Sequence, residues 1–563
     1  MLLRVIPTDQ RERRNLINDE KKKNIKINTM KKLLLSLAIL LIINILSAQV
    51  NVDEYEFDGA NCTSIMVGKD ASTDGSVMTS HTCDSWYRTW MRWEPAADHE
   101  DNAWTPVYKG TMHTMSPSET KGLEVAAEIP LPNHTYAYLN TAYPCFNEKQ
   151  LAIGETTFSG PDTLRNKEGA FLIEELERLA LQRCDNARDA IKLIAEYIKL
   201  IAEYIKEYGY GDGGEAITIA DTKEVWLMEI MGEGPKKIGG IWAAQRVPDG
   251  EVGVSANIPR IKYLNRNDPD NFMCSDNIEK VAKKYGLWDG KEEFIWYKVF
   301  ASSYSNGKNF REREWFIFNE LAPSLKLDRD AQEIPFSVKP EKKVDVRDVM
   351  RLLRSYYEGT DMDITRNLKI VTREGDTIVS PTANPWMGGT EQKVYNFLKP
   401  GTIDFKRGTA MSWCSYSFVA QLRGWMPDEI GGICWIGVEN PGQSPRIPVY
   451  SGCTKMPSCF DRCGHGHFDE QTALWRYRKA NKLAQVNWGY AKDIMYKNIL
   501  RYEDKAMTEM PELEKRIQKL LDEGKNEEAA KELNRYTADF EAATAETWKE
   551  MEHHFWEKFW TGF

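Results

Sequence analysis

Cys62 is the residue of this 563-residue sequence best suited to chemistry, because it lies about a dozen residues past a segment with the pattern of a secretory signal. Removal of the residues before it would make Cys62 the first residue of the mature chain. Its thiol and free α-amine would then be one short side chain apart, with reference pKa values of about 8.5 and about 7.7–8.0. Near neutral pH one group can take a proton from the other, so such a residue is a nucleophile with its own base.

The pattern of an export signal covers residues 30–48. Residues 30–32 are Met-Lys-Lys, residues 33–46 are almost wholly apolar, and Ser47-Ala48 offers small residues for cleavage. The apolar run is shorter than the roughly twenty residues of a spanning helix, so the pattern predicts a cleaved signal peptide and no stable membrane anchor afterwards. An exported protein, periplasmic or extracellular, is expected.

Residues on either side of this signal have expected roles as well. Residues 1–29 are basic and polar, and they are expected to come from a misassigned upstream start. If they are translated, the apolar run is internal and can act as a signal anchor instead. Residues 49–61 would form a propeptide that must leave before Cys62 has a free α-amine.

The composition argues against one class of partner. The formal net charge is −10 and the part after residue 48 has no basic cluster, which argues against nucleic acid. Ten cysteines permit disulfides in an exported chain, although the pairing does not follow from the sequence. No cofactor is implied, and a homo-oligomer stays open.

The residues around Cys62 predict a β-hairpin. Residues 62–67 and 76–79 are strand-like, and Asp74-Gly75 between them is a typical hairpin turn. A nucleophile at the start of such a strand would have its backbone fixed by a sheet. Asp84 falls just after the second strand, where it can lie beside Cys62.

Strand-like and helical segments alternate along the rest of the chain, which predicts a layered protein with largely antiparallel sheets. Residues 307–346 are rich in charged residues and proline and are expected to form a surface excursion. The last hundred residues predict a helical hairpin with Gly524 as a C-cap. The predicted strands are residues 135–139, 151–153, 216–220, 224–230, 242–247 and 251–256, and the predicted helical region is residues 164–208, in which residues 191–197 are repeated unchanged as residues 198–204.

The opening motif resembles a known family. Residues 62–76 (Cys-Thr-Ser-Ile-Met-Val-Gly-Lys-Asp-Ala-Ser-Thr-Asp-Gly-Ser) are similar to the mature N-terminus of the dipeptidase A family, cysteine peptidases of the N-terminal-nucleophile (Ntn) hydrolase superfamily. Weaker similarities follow in the family's order at residues 147–155, 220–226, 242–249 and 444–450.

The resemblance implies a fold and a mechanism. The fold is α+β, a four-layer αββα sandwich of mainly antiparallel sheets, with a catalytic domain over residues 62–465 and a helical C-terminal extension over residues 466–563. The Cys62 thiolate would attack the peptide carbonyl, its own α-amine would carry the proton, and water would hydrolyse the thioester. The family expectation for maturation is self-cleavage between Asn61 and Cys62.

The resemblance also implies roles for four further residues. Asp84 matches an aspartate that contacts the α-amine of the nucleophile in related enzymes, and Asn257 matches an asparagine near their active site that can serve the oxyanion or the substrate. Thr157 falls where relatives place a second oxyanion or substrate group. His81 stands where relatives often carry an arginine against the nucleophile, which leaves the substrate preference and the pH optimum open.

A cluster of three cysteines and two histidines lies at residues 453–467. Zinc sites use such ligands, but the spacing lacks the usual pairs, and a local disulfide loop is favoured in an exported protein. The sequence also lacks the His-Glu-x-x-His motif of zinc peptidases, so no metal site is predicted.

The function that these patterns predict is an exported cysteine-type dipeptidase that hydrolyses dipeptides or very short peptides. An Ntn amidase acting on N-acyl amino acids or other small amides shares the nucleophile and differs only in the pocket. A non-catalytic secreted protein that binds a partner through residues 453–467 and the C-terminal helices is the alternative from another class.

Overall fold

The predicted hairpin at Cys62 is present and lies in the middle of a sheet. The computed structural model of the protein describes residues 61–119, 123–204, 210–300, 308–331 and 333–559. The predicted upstream segment, the signal peptide and the propeptide up to residue 60 lie outside the described residues. Cys62 is the second residue of the first described strand.

Within the described ranges, strands make up two large sheets and three small two-stranded ones. In chain order they are β1 (Asn61–Val67), β2 (Val77–Asp84), β3 (Arg92–Glu94), β4 (Ala97–Asp98), β5 (Trp104–Lys109), β6 (Glu124–Pro130), β7 (His134–Thr135), β8 (Tyr138–Asn140), β9 (Phe146–Asn147), β10 (Ala152–Thr157), β11 (Glu215–Ala220), β12 (Val225–Gly232), β13 (Gly240–Val247), β14 (Val252–Ser255), β15 (Phe272–Cys274), β16 (Ser337–Val338), β17 (Lys369–Val371), β18 (Thr377–Val379), β19 (Cys414–Leu422), β20 (Gly432–Val438) and β21 (Ile447–Tyr450).

The helices lie between the strands and at the C-terminal end. They are α1 (Ile173–Arg183), α2 (Ala187–Tyr204), α3 (Ile278–Lys284), α4 (Trp296–Phe300), α5 (Lys308–Leu321), α6 (Val346–Leu353), α7 (Gly389–Leu398), α8 (Asp428–Gly431), α9 (Ala473–Val486), α10 (Trp488–Asp522) and α11 (Asn526–Phe559). No helix in these described ranges combines the length and the apolarity needed to cross a membrane.

The two large sheets are antiparallel and pack on each other. One has the order β16-β14-β1-β2-β19-β20-β21, and the other has the order β15-β13-β12-β11-β10-β9-β8-β3. Strands β1 and β2 of the first sheet contact β10, β11 and β12 of the second. The Thr79 and Thr218 hydroxyls meet across this interface at 2.6 Å. Every residue of β1 and β2 is buried, as expected for strands covered on both faces.

Helices cover the other faces of both sheets. Helices α1 and α2 contact strands of the eight-stranded sheet, whereas α5, α6, α9 and α11 contact strands of the seven-stranded one. The predicted mixture of antiparallel sheets and helices, with helices at the C-terminal end, is confirmed. Gly524 has a φ of +71° in the turn between α10 and α11, the conformation that a glycine C-cap supplies.

The local predictions around Cys62 are confirmed with small shifts. Gly75 turns the chain between β1 and β2 with a φ of +85°, which glycine adopts without strain. Asp84 is the last residue of β2 rather than the residue after it. Farther along, the predicted helical region begins at Ile173, nine residues later than expected, and α2 runs through both copies of the repeat to Tyr204.

The prediction of a surface excursion over residues 307–346 is wrong for its first half. Helix α5 carries three consecutive charged residues, Glu312, Arg313 and Glu314, each at most 1% exposed. Charged residues are seldom buried without partners, so composition alone favours the surface. Here buried partners hold them: Arg260 pairs with Glu314 at 2.9 Å, and Arg313 donates to the main-chain oxygen of Cys62 in β1.

Candidate active site

Cys62 lies where its side chain and its main chain face different groups. Strand β1 runs between β14 and β2, and Cys62 is directly opposite Cys83 in the antiparallel register. The side chain is fully buried. The sheet therefore fixes the backbone of Cys62, and the two large sheets enclose its thiol.

The Cys62 thiol faces a carboxyl group of the second sheet. The Cys62 Sγ donates a hydrogen bond of 3.2 Å to Oε2 of Glu155, on strand β10. The Thr157 hydroxyl donates to the other oxygen of the same carboxyl, Oε1, at 2.9 Å. Burial and the nearby Glu155 charge raise the pKa of the Cys62 thiol well above its ordinary value.

Glu155 forms a hydrogen-bonded pair with Glu215, which lies at the start of β11. Burial raises the pKa of both carboxyls, and the charge of Glu155 raises that of Glu215 further. Their mutual hydrogen bond lowers the pKa of Glu155 and raises that of Glu215. Two interacting carboxyls cannot easily both ionise, so the pair shares one proton near neutral pH.

His81 lies in an aromatic enclosure beside this pair. The imidazole packs edge-on against the rings of Tyr143, Tyr416 and Phe418, at centroid distances of 5.5–6.1 Å. Its Nε2 is 3.6 Å from Oε2 of Glu155, and neither ring nitrogen has a hydrogen-bond partner among the described residues. Burial lowers the pKa of His81 to about 3, so the ring is neutral near pH 7.

The donor atoms of Cys62, His81 and Glu155 lie within 4.8 Å of one another, a spacing that a metal ion can bridge. The hydrogen bond between the thiol and the carboxyl accounts for the contact of two of these groups without a cation. We therefore assign no metal to this cluster.

The main chain of Cys62 faces an amide instead. The Cys62 nitrogen donates to Oδ1 of Asn257 at 2.9 Å. In this chain that nitrogen is a peptide N–H, because Asn61 precedes it, and it stands in the place of the α-amine of a chain that begins at Cys62. The Asn257 Nδ2 donates to the Thr157 carbonyl at 2.7 Å, and Asn257 itself has a φ of +65°. Asparagine tolerates that conformation better than most residues.

Arg313 of helix α5 also binds the main chain of Cys62. Its guanidinium donates to the Cys62 carbonyl at 2.6 Å and to the Ala256 carbonyl at 2.9 Å. It also donates to Oγ1 of Thr63 at 2.8 Å and to Oδ1 of Asn257 at 2.8 Å. Because a guanidinium only donates, this contact fixes which end of the Asn257 amide is the oxygen. Burial lowers the pKa of Arg313 to about 9, which leaves it charged at neutral pH.

Asp84 lies one register position from Cys62. It is paired across the strands with Asn61, the residue before the nucleophile. Its Oδ2 accepts from the Arg407 guanidinium at 2.6 Å and from the Thr82 hydroxyl at 3.2 Å. Its Oδ1 is buried and has no hydrogen-bond partner among the described residues, so an acceptor is available there.

The five residues predicted around Cys62 thus take different positions. His81 and Asn257 lie beside the thiol and the nitrogen, whereas Thr157 orients both Glu155 and Asn257. Asp84 and Asn61 face each other at the edge of the cluster.

Sequence analysis missed Glu155, Glu215, Arg313 and Arg407. Glu155 and Glu215 carried one readable signal, an acid in a strand whose other residues are mostly apolar or small. The two arginines carried none, because they come from distant parts of the chain.

The predicted disulfide loop at residues 453–467 is not formed. Cys453, Cys459 and Cys463 are free, as are all ten cysteines of the chain. They are buried as small apolar side chains instead: Cys453 contacts the Thr537 hydroxyl of α11, and Cys463 accepts from the Thr89 hydroxyl. His465 is hydrogen-bonded to Ser415 at 3.0 Å, so this region packs against the start of β19.

A cavity of about 460 Å³ begins directly after Asn257. Its wall includes Ile258, Arg260, Tyr263 and Phe336, but not Cys62. Cys62 is fully enclosed in this form of the chain, so the cavity and the thiol are separate here.

The thiol of Cys62 therefore lies beside a buried carboxyl, and its nitrogen lies beside an amide. The comparisons give the class: the model of peptidase family C69 matches residues 61–499, and the chain belongs to this family. This confirms the family of cysteine peptidases expected from the opening motif, and with it a hydrolase of peptide bonds.

The chain is also similar to curated relatives. A probable dipeptidase of Latilactobacillus sakei is 25% identical over 85% of this chain and 93% of its own length. A probable dipeptidase B of Streptococcus pyogenes serotype M1 is 23% identical over 76% of this chain and 79% of its own length. A probable dipeptidase of Salmonella dublin is 24% identical over 69% of this chain and 81% of its own length.

Proposed function

We propose that this protein is a dipeptidase that hydrolyses dipeptides or very short peptides with Cys62 as its nucleophile. The observation that carries the proposal is the position of Cys62: the family match begins at residue 61, one residue before it, and its thiol meets Glu155 while its nitrogen meets Asn257. The names of the similar proteins, probable dipeptidase and probable dipeptidase B, support the substrate class.

The proposed fold is the four-layer αββα sandwich of the Ntn hydrolases. Two antiparallel sheets in contact, with helices on the far side of each, support it. A catalytic domain over residues 62–465 followed by a helical extension over residues 466–563 belongs to the same proposal.

The proposed mechanism begins after the residues before Cys62 have left. The α-amine of Cys62 takes the thiol proton, and Sγ attacks the carbonyl carbon of the substrate. The amine then returns the proton to the leaving nitrogen, and water hydrolyses the thioester. General acid–base catalysis of this kind contributes about 10²–10⁴ to the rate.

The carboxamide of Asn257 and the carboxyl of Asp84 would hold the α-amine of Cys62 in place. Oδ1 of Asn257 already accepts from the Cys62 nitrogen at 2.9 Å. The open Oδ1 of Asp84 is a second acceptor beside it, and a carboxylate stabilises the protonated amine. The second N–H of the Asn257 amide is the candidate donor to the oxyanion.

Export is part of the proposal. Residues 30–48 have the pattern of a signal peptide, and they lie outside the described residues. A periplasmic or extracellular location follows from that pattern alone.

The test compares two cysteines that lie side by side. Cys62→Ala is expected to abolish hydrolysis of Ala-Ala, whereas Cys83→Ala, which removes the buried thiol directly across the strand, keeps it within about tenfold. N-terminal sequencing and intact mass are expected to show wild-type protein beginning at Cys62.

The substrate panel separates the alternatives. Turnover of N-acetyl-alanine but not of Ala-Ala would replace the dipeptidase by an amidase. A chain that keeps the residues before Cys62 and hydrolyses neither substrate would favour a binding protein.

A further inference from the structure

While Asn61 is still attached, Cys62 has no free α-amine to act as the base for its thiol. The Cys62 nitrogen is a peptide N–H that donates to Asn257, so it has no basic lone pair to offer the thiol. Burial also raises the pKa of the thiol well above its ordinary value. Self-cleavage before Cys62 therefore needs a proton acceptor other than the α-amine.

We propose that Glu155 is the proton acceptor for the Cys62 thiol in the removal of the residues before Cys62. This inference rests on the proposed function and assigns to it a catalytic residue for maturation. The Glu155 carboxyl is in direct contact with the reacting sulfur, at 3.2 Å, and the thiol is the donor in that contact.

The surroundings of Glu155 keep an oxygen ready for that proton. Thr157 donates to Oε1 at 2.9 Å, which leaves Oε2 directed at the sulfur. The interaction with Glu215 lowers the pKa of Glu155 and raises that of Glu215, which favours the ionised form of Glu155. A carboxylate whose pKa is raised by burial is a stronger base than an exposed one, which suits it to a thiol.

His81 is a poorer candidate for the same task. One of its ring nitrogens lies within 4.8 Å of the sulfur, but its pKa of about 3 makes it a weak base. Arg313 and the Asn257 amide face the main chain of Cys62 rather than its sulfur.

The proposed step balances in protons and bonds. Glu155 takes the proton of the Cys62 S–H while Sγ bonds to the carbonyl carbon of Asn61. The C–N bond between Asn61 and Cys62 then breaks, and the Glu155 proton goes to the leaving nitrogen, which becomes the α-amine. Water hydrolyses the thioester between the Asn61 acyl group and Sγ, which regenerates the thiol.

This account predicts that the role of Glu155 ends with maturation. Once the amine is free it becomes the base for turnover, so Glu155 is needed for processing far more than for hydrolysis. A residue that only stabilises the fold would affect both.

The experiment uses Glu155→Gln in two settings. In the full chain, we expect processing followed by intact mass to slow about 10²–10⁴-fold, the usual size of a general-base contribution. In a chain translated with methionine directly before Cys62, the host aminopeptidase removes the methionine, and Ala-Ala hydrolysis is expected to stay within about tenfold of wild type. Glu155→Asp, which keeps a carboxylate, is expected to retain measurable processing.

Glu177→Gln is the matched control. Its side chain is a buried carboxyl of helix α1 outside the pair of Glu155 and Glu215, so processing is expected within about threefold of wild type. Glu155→Gln processed at the wild-type rate would overturn the inference, and so would equal losses of processing and of turnover. If wild-type protein neither loses the residues before Cys62 nor hydrolyses Ala-Ala, the proposed function falls instead.

Discussion

The groups that surround the main chain of Cys62 differ from those that surround its thiol in how their hydrogen bonds are made. On the main-chain side, Arg313 and Asn257 make six hydrogen bonds between them and to their surroundings, and the positive charge is retained. On the thiol side, Glu155 and Glu215 have a raised pKa, and His81 is neutral.

This difference suggests a division of labour. A network of several hydrogen bonds is rigid, so the main-chain side fixes the position of the nucleophile. The Glu155 and Glu215 carboxyls have a pKa raised from an acidic value and can keep a proton at higher pH than exposed carboxyls, so the thiol side handles protons. Substitutions on the two sides should therefore have different signatures.

The largest effect is expected from Arg313→Met. The Cys62 and Ala256 carbonyls would lose their guanidinium donor in a buried place, at about 1–3 kcal/mol each. We expect the free energy of unfolding to fall by about 2–6 kcal/mol and Ala-Ala hydrolysis to fall more than about 100-fold. Urea denaturation followed by tryptophan fluorescence measures the first quantity.

Arg311→Met is the control on the same helix. Arg311 is only half-buried and donates to the Ala331 carbonyl at 3.1 Å, so a cost near 1 kcal/mol is expected. Equal costs for the two variants would contradict a special role of Arg313.

A smaller effect, and one that depends on pH, is expected from Glu215→Gln. Folded Glu215 keeps its proton at pH values where the unfolded chain has lost it, because its pKa is raised. Stability is then full below about pH 4.5 and falls as the pH rises, by up to about 1.4 kcal/mol per pH unit. The variant is expected to lose this slope, and unfolding free energies measured from pH 5 to pH 8 check it. If stability falls with pH equally in the wild type and in the variant, the proton that causes the slope is not on Glu215.

The smallest effect is expected from His81→Asn. The imidazole is neutral and makes no hydrogen bond within the described part of the chain, so it contributes mainly packing against three aromatic rings. We expect less than about tenfold loss of Ala-Ala hydrolysis. The pH profile between pH 5 and pH 8 should keep its shape, and a moved acid limb would show that His81 titrates in catalysis.

The part of the fold that sequence predicted is the part set by neighbours in the chain. The β1–β2 hairpin follows from strand-forming residues around Asp74-Gly75, and β11 and β12 follow from a similar local pattern. Each of these elements is decided by turn chemistry and side-chain alternation over a few residues.

The part that sequence missed is set by contacts between distant segments. Arg313 is 251 positions from Cys62, and Glu155 is 93 positions from it. The charged run in α5 predicted a surface, because composition does not show that two buried carbonyls require donors. The family motif therefore predicted five residues of the candidate site besides Cys62. Its glutamates and arginines became visible only in the folded structure, which brings distant segments together.

The pairing of Asn61 with Asp84 has a consequence for selectivity. Asn61 is buried and is the first residue of β1, so the sheet already encloses the residue that self-cleavage discards. If Cys62 attacks both its own chain and its substrates, the acyl group of the first thioester is Asn61 and the acyl group of every later one occupies the space that Asn61 vacated. The precursor would then be the first substrate of its own active site. The space left by a small polar residue would set which amino acids bind there afterwards.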